Sequence, residues 1–224
     1  PLVSYHEHNR AAAGPAIAER LLGGESCALV TDAGTPAISD PGEDLVRLCG
    51  ENNIAVEAIP GCCAAICALA VSGLPTGRFT FEGFLPANKK ERRTALLRLQ
   101  GEERTMVFHE APHRLRSALA DMAEVLGDRP VALCRELTKL HEETARTTLA
   151  QAAAYYAANE PRGEYVLVVS GRPRQYLPQL TLEEGVERVL RLREGGMKMK
   201  DAVRQVADDT GLSRNELYNA ALQR

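Results

Sequence analysis

The alternation of apolar runs with amphipathic segments predicts strands and helices in turn along the amino-terminal third of the chain. Short apolar runs bounded by Gly, Pro or Asp are typical of buried strands, and a three-to-four-residue period is typical of helices. The pattern predicts helices over residues 10–22, 43–50 and 62–71 and strands over 26–31 and 54–59. Asn9 precedes the first helix, so we expect it to act as the N-cap. This order is typical of a parallel sheet covered by helices.

A second α/β unit follows the glycine- and proline-rich segment at residues 73–77 (GLPTG). The pattern predicts strands over residues 79–84, 105–109, 131–135, 142–147 and 165–170, and helices over 89–99, 112–126 and 149–158. With more strands per helix than the first unit, this region is expected to contain antiparallel pairs. We therefore expect an α/β protein whose first two domains cover residues 1–75 and 76–172.

The last segment contains helices and no strand signal. Three short amphipathic stretches predict helices over residues 182–192, 199–210 and 214–222, which form a small domain at 181–224. Ala207, Gly211, Leu212 and Ser213 have the spacing of a helix-turn-helix, in which a small residue permits close packing and glycine permits the turn. An ordinary helical hairpin uses the same residues, so both interpretations stay open.

Composition limits the classes of function without choosing one. The chain has 224 residues, 45% of them hydrophobic and 25% charged, which is typical of a folded core. The net charge of −3 argues against a general nucleic-acid binder, so any RNA contact requires a local basic patch. No apolar run approaches the roughly 20 residues of a membrane helix. The six cysteines lack zinc-site spacing, and we expect reduced thiols in a cytoplasmic protein.

The densest cluster of Gly, Pro and Asp lies at residues 31–42 (TDAGTPAISDPG), directly after the apolar run SCALV. In parallel α/β sheets, ligands bind at the carboxyl ends of strands. Glycine lets a backbone approach a small molecule, and the Asp32 carboxylate accepts hydrogen bonds. An ordinary strand-to-helix connection is the alternative, but twelve residues of this composition favour a ligand site.

Four motifs occur in order along the chain: TDAGTPAISDPG at 31–42, PGCCAAICALAVSGLP at 60–75, FHEAPHR at 108–114 and CRELTK at 134–139. Together they resemble the tetrapyrrole methylase superfamily of S-adenosylmethionine-dependent methyltransferases. They are most similar to the branch that methylates a cytidine 2′-hydroxyl in the decoding centre of 16S ribosomal RNA. The resemblance covers essentially the whole chain. It implies two α/β domains with the cofactor in the cleft between them, and a small carboxyl-terminal helical domain.

The resemblance also implies which residues contact S-adenosylmethionine. The positions carried over from the motifs are Asp32, Ala33, Gly34, Thr35, Cys63, Ala64, Glu110 and Leu137. The family often has Ser or Thr where Cys63 stands, so a hydroxyl contact is lost there. Plain packing is the alternative for Cys63, Ala64 and Leu137.

The amino end departs from the family pattern. The family begins with a Gly-rich strand, a helix and a second strand with an acidic motif, whereas residues 1–10 match the segment that follows these elements. We therefore expect a truncated chain that lacks one wall of the cofactor pocket and binds cofactor weakly. An exposed sheet edge would then favour a homodimer or low stability.

Methyl transfer to a ribose hydroxyl requires a positioned nucleophile and removal of its proton. The candidate bases are Glu110, His113 and Glu136, although a salt bridge with a neighbouring Arg is an equal alternative for either glutamate. The candidate RNA contacts are basic side chains at Lys89, Lys90, Arg92, Arg93, Arg114, Arg135, Lys139, Lys198, Lys200 and Arg214. We expect no metal, and residues 6–9 (HEHN) are interpreted as a possible RNA contact.

Three functions compete on this evidence. The first is ribose methylation of 16S ribosomal RNA within the small ribosomal subunit. The second is methylation of a small tetrapyrrole, against which the basic helix at 89–99 and the helical tail argue. The third is a non-catalytic RNA-binding fragment, which the missing amino-terminal elements favour.

Overall fold

The computed structural model describes residues 1–173 and 180–223. The chain divides into two compact units, Pro1–Arg172 and Pro173–Arg224. Arg224, the last residue of the predicted helical domain, lies outside the described residues. The predicted boundary near residue 75 falls inside the first compact unit, and it stays a prediction.

The first unit contains the α/β elements. Its helices are α1 (Arg10–Leu22), α2 (Glu43–Glu51), α3 (Ala64–Ser72), α4 (Lys89–Leu99), α5 (Pro112–Leu126) and α6 (Leu149–Ala158). Its strands are β1 (Phe79–Phe84), β2 (Thr105–Glu110), β3 (Pro130–Arg135), β4 (Glu143–Thr148) and β5 (Tyr165–Val169). Every one of these elements was predicted from the sequence, with ends that differ by at most two residues.

The strands form a mixed sheet in the order β1-β2-β5-β3-β4. Strands β1 and β2 are parallel, whereas β2–β5, β5–β3 and β3–β4 are antiparallel. The expectation of antiparallel pairs is thus confirmed. Since β5 runs against β2 and β3, the carboxyl ends of β1, β2 and β3 share one end of the sheet.

Side chains alternate between the two faces of the sheet, and both faces are buried. On one face Phe108 and Leu167 pack with apolar side chains of α4, α5 and α6. On the other face Val107 and Val168 pack against the small residues of α3. Successive strand side chains point to opposite faces, so one apolar run supplies both layers.

Three expectations for the first 75 residues were wrong, two of them strands and one a helix cap. Residues 26–31 and 54–59 form no strand, and no neighbouring strand hydrogen-bonds to them within the described part of the chain. Their side chains Val30 and Ile59 are exposed. An apolar run becomes a strand only where a second strand satisfies its backbone groups.

Asn9 occupies the N-cap position of α1, but its Oδ1 accepts from the His6 backbone N–H and does not cap the helix.

In its described residues, 180–223, the second unit consists of three helices, α7 (Leu182–Glu194), α8 (Met199–Thr210) and α9 (Arg214–Leu222). Gly211 ends α8 in a left-handed conformation with φ +74°, and the Ser213 hydroxyl accepts from Glu216 N–H at the start of α9. A Cβ on Gly185 of α7 would lie 2.5 Å from Leu212 Cδ1, so α7 packs closely against the turn between α8 and α9. The predicted helices and turn residues are confirmed.

Among the residues described in both units, no helix has the length and apolar character needed to cross a membrane.

Candidate functional site

A cavity of about 560 Å³ lies at the carboxyl ends of β1, β2 and β3. The loop at residues 31–40 and the start of α3 form one side, and the strand ends with the following loops form the other. All eight residues predicted to contact the cofactor line this cavity: Asp32, Ala33, Gly34, Thr35, Cys63, Ala64, Glu110 and Leu137. Residues separated by more than 100 positions in sequence therefore meet in one space.

The loop at 31–42 is held in a defined shape. Thr35 Oγ1 donates to the Cys62 carbonyl oxygen at 3.1 Å, which ties the loop to the start of α3. Gly34 has φ +79°, and a Cβ there would lie 3.5 Å from the same carbonyl. Ala37 and Ser39 also have positive φ, a conformation that costs free energy for residues other than glycine. Such strain is concentrated at ligand-binding loops.

The Asp32 carboxylate faces the cavity without a competing protein partner. Asp32 is exposed, and no described side chain or backbone group hydrogen-bonds or ion-pairs with it. A carboxylate in this position can accept hydrogen bonds from hydroxyl or ammonium groups of a ligand.

Glu110 lies at the end of β2 and is almost completely buried. Its Oε1 accepts from Ala111 N–H at 2.9 Å and lies 3.3 Å from Arg114 Nε. Burial raises the pKa of the Glu110 carboxyl, and the Ala111 hydrogen bond and Arg114 only partly oppose this effect. A carboxylate with a raised pKa accepts a proton more readily near neutral pH.

His109 also lines the cavity, and sequence reasoning missed it. Its ring packs edge-on against Phe81 and Phe84, with centroids 5.1 and 5.5 Å away. Its Nε2 is buried and has no hydrogen-bond partner among the described residues. Burial lowers the pKa of His109, which favours the neutral form of the ring. The available signal was its place beside Glu110 in the FHEAPHR motif.

The other two candidate bases lie outside the cavity lining. Glu136 Oε1 accepts from Lys139 Nζ at 3.0 Å and from Glu164 N–H at 2.8 Å, and these contacts lower the pKa of its carboxyl, the Glu164 bond most. A lowered pKa weakens a base, so Glu136 fits a role in shaping the loop that carries Leu137. His113 is exposed in the first turn of α5.

The structure separates the candidate RNA contacts into two groups. Ion pairs to carboxylates involve Arg92, Arg93, Arg114, Arg135, Lys139 and Arg214. Exposed side chains with no ion pair in the described part of the chain are Lys89, Lys90, Lys198 and Lys200. Exposed pairs contribute little and can exchange a carboxylate for a phosphate. Arg92 is buried against Asp121, so its guanidinium is not available to RNA.

Comparison with known sequences gives two family matches. The profile of the Tetrapyrrole (Corrin/Porphyrin) Methylases matches residues 2–153, and that of the RsmI C-terminal HTH (helix-turn-helix) domain matches residues 181–224. Among solved structures, the methyltransferase CobJ aligns with a TM-score of 0.55 and 18% identity, over 76% of this chain and 74% of its own. Diphthine synthase aligns with a TM-score of 0.50 and 12% identity, over 75% of this chain and 68% of its own. At these identities the structural matches establish the fold alone.

Curated relatives are much more similar. Ribosomal RNA small subunit methyltransferase I of Synechocystis is 45% identical over 100% of this chain and 80% of its own length. The proteins of the same name from Pseudomonas aeruginosa and Bacillus subtilis are 45% and 41% identical, over 100% and 98% of this chain and 80% and 77% of their own lengths. Fold, motifs and cavity agree with these matches. The chain belongs to the tetrapyrrole methylase family, in the branch of the ribosomal RNA small subunit methyltransferases I.

Proposed function

We propose that this protein transfers a methyl group from S-adenosylmethionine to the 2′-hydroxyl of a cytidine in 16S ribosomal RNA. The observation that carries the proposal is that one cavity is lined by the loop at 31–42, the start of α3 and the ends of β2 and β3. The names of the curated relatives supply the RNA class, and the resemblance of the motifs supplies the ribose hydroxyl.

The residues of the cavity fit the proposed cofactor. Its volume of about 560 Å³ is in the usual range for small-molecule sites, about 300–1,000 Å³. Asp32 offers an unpaired acceptor for amino or hydroxyl groups, and the backbones of Ala33 and Gly34 are approachable because Gly34 has no side chain. Cys63 and Leu137 supply apolar contacts. S-adenosylmethionine supplies an electrophilic methyl group with a good leaving group.

The protein's own contribution is positioning and proton removal. Glu110 is the candidate base that lines the cavity, and its raised pKa suits proton acceptance. Its Oε1 is held by Ala111 N–H and Arg114, whereas no described group hydrogen-bonds to Oε2. We propose that Oε2 accepts the proton of the ribose hydroxyl. His109 and Phe84 form an aromatic wall of the same space.

RNA binding is assigned to the exposed lysines that form no ion pair in the described part of the chain. Lys89 and Lys90 lie in the first turn of α4, and Lys198 and Lys200 lie at the start of α8. Lysine ammonium groups neutralise phosphates without base specificity. The helix-turn-helix of the second unit supports a nucleic-acid role for that unit.

We further propose that the protein is a cytoplasmic homodimer acting on the assembled small ribosomal subunit. The exposed apolar side chains Val30, Val56 and Ile59 support self-association, since large apolar surfaces favour burial. Sedimentation at micromolar concentration tests the dimer, and a monomeric species contradicts it.

Methyl transfer to two acceptors tests the proposed function. Labelled S-adenosylmethionine is incubated with the protein and either small ribosomal subunits or a uroporphyrinogen. We expect label in ribosomal RNA, none in the tetrapyrrole, and a loss with Asp32→Ala. Label in the tetrapyrrole alone would favour the sibling activity, and label in neither acceptor would favour a non-catalytic RNA-binding protein.

A further inference from the structure

Arginines gather at the end of the sheet opposite the cavity. Arg78 precedes β1, Arg104 precedes β2, Arg129 precedes β3 and Arg172 follows β5, which runs in the opposite direction. The sheet order therefore places all four at one end. Arg98, in the last turn of α4, lines the same cavity of about 380 Å³ as Arg78 and Arg104. We call these five residues the arginine edge.

Two of the five arginines have fixed structural partners. Arg104 donates from Nε and Nη2 to the Glu102 carboxylate at 2.8 and 2.7 Å, which lowers the pKa of Glu102 to about 2. Arg129 is buried and donates to the carbonyl oxygens of Gln100 and Leu126 at 2.6 and 2.9 Å. Carbonyls carry no charge, so the positive charge of Arg129 is not neutralised by its own partners.

The other three arginines are available to a ligand. Arg78 and Arg98 are exposed, and neither forms an ion pair within residues 1–173 and 180–223. Arg172 likewise has no ion pair there, and its backbone N–H donates to the Glu102 carbonyl at 2.6 Å. The chain after β5 is thereby held against the turn that carries Glu102.

The local charge contrasts with that of the whole protein. The acidic side chains near the arginine edge are Glu82, which acts electrostatically on Arg104, Glu102 and Glu103, which line the cavity, and Asp128, which directly precedes Arg129. The five arginines exceed these four carboxylates by one charge, in a chain whose net charge is −3. Guanidinium groups bind phosphate oxygens in paired hydrogen bonds, and an RNA backbone offers several phosphates in a row.

We propose that the arginine edge binds the phosphodiester backbone of the substrate RNA, at the opposite end of the sheet from the catalytic cavity. This proposal rests on the proposed function for the identity of the RNA. The phosphate contacts would anchor the substrate while a distant nucleotide reaches the cavity. None of the five arginines lines that cavity, so their loss should spare the cofactor.

The test compares two double variants that remove the same charge. Arg78→Gln with Arg98→Gln removes two free guanidiniums of the edge, whereas Arg20→Gln with Arg47→Gln removes two exposed arginines from α1 and α2. Binding to isolated small ribosomal subunits is measured from 50 to 200 mM salt. Each lost phosphate contact reduces the steepness of the log–log plot of affinity against salt by about 0.7, so the slope of the edge variant should be shallower by about 1.4. Between 50 and 200 mM salt, this difference changes the affinity relative to the wild type by about sevenfold. The control should keep the wild-type slope, and both should keep wild-type affinity for S-adenosylmethionine.

Equal slopes for the two double variants would overturn the proposal. Inorganic pyrophosphate is titrated in parallel, and an edge variant that loses pyrophosphate binding but keeps the RNA slope would show a small-anion site instead. Methyl transfer is assayed separately on the wild-type protein. If the wild type shows no methyl transfer but the edge variant has a reduced salt slope, the proposed function is refuted and the arginine edge stands. If methyl transfer is intact but the two double variants have equal slopes, only the arginine edge is refuted.

Discussion

The buried ion pair between α4 and α5 makes the sharpest prediction for stability. Arg92 Nε and Nη2 each lie 2.7 Å from Asp121 Oδ2, with side-chain exposures of 5% and 6%, and Nη1 donates to the Ala87 carbonyl at 2.9 Å. Replacing Arg92 by Met leaves the Asp121 carboxylate buried without its main partner. Breaking a buried pair in this way costs about 3–5 kcal/mol.

The neighbouring Arg93 provides the matched control. Its side chain is 33% exposed and pairs mainly with Glu124 at the surface, and its Nη1 makes only a longer contact of 3.4 Å with Asp121 Oδ1. Because Arg92 would still hold Asp121, replacement of Arg93 by Met should cost less than about 1 kcal/mol. For a protein of this size, 1 kcal/mol corresponds to about 2–4 °C in Tm. We therefore expect Arg92→Met to lower Tm by about 6–20 °C and Arg93→Met by at most about 4 °C.

Urea titration and calorimetry of both variants measure these costs. Arg92→Met combined with Asp121→Leu removes both charges, and this double variant should recover most of the lost stability. Equal costs at positions 92 and 93, or no recovery in the double variant, would refute the assignment of Arg92 to the core. A reduced salt slope of RNA binding in Arg92→Met at a temperature where it remains folded would restore Arg92 as an RNA contact.

Three further predictions concern the site and the second unit. Asp32→Ala should weaken S-adenosylmethionine binding by about 1–3 kcal/mol in calorimetry, and unchanged affinity would remove Asp32 from the site. Glu110→Gln should lower methyl transfer by about 10²–10⁴-fold. Burial raises the folded-state pKa of Glu110 above its ordinary value of 4.5. The stability of the wild type therefore falls as pH rises from 4.5 through the folded-state pKa, and the Gln variant avoids this loss. Urea titrations should therefore show Glu110→Gln gaining relative stability between pH 4 and pH 7, and a relative loss would contradict the raised pKa. Deleting residues 181–224 should weaken RNA binding and leave cofactor affinity intact, since every described residue that lines the cavity belongs to the first unit. The reverse result would favour a structural role for residues 181–224.

The elements that local periodicity specifies were predictable. Helix α5 shows this, because its apolar positions and Pro112 in the first turn fix both its face and its start. The runs at 26–31 and 54–59 look equally strand-like in sequence but form no strand, because a strand depends on a neighbour that local sequence does not describe. Hydrophobic pattern therefore predicted the sheet only where its strands find partners.

The site was predictable from motifs, whereas the state of its charges was not. The motif residues at 32–35 and Glu110 line one cavity because Thr35 ties the first loop to the start of α3, and α3 packs against the sheet whose strand β2 ends at Glu110. Arg92 and Arg93 appear equivalent in sequence, yet the first is buried and the second is at the surface. Their partners Asp121 and Glu124 are about 30 residues away in the chain, so only the packing of α4 on α5 distinguishes the two arginines.

Nucleoside mass spectrometry of methylated small-subunit RNA tests the central claim most directly. Small ribosomal subunits are incubated with the protein and S-adenosylmethionine, and their RNA is digested to nucleosides and analysed. The account predicts a gain of 2′-O-methylcytidine, lost in Asp32→Ala and strongly reduced in Glu110→Gln. A methyl group on a nucleobase, or a yield of 2′-O-methylcytidine that neither substitution changes, would contradict it.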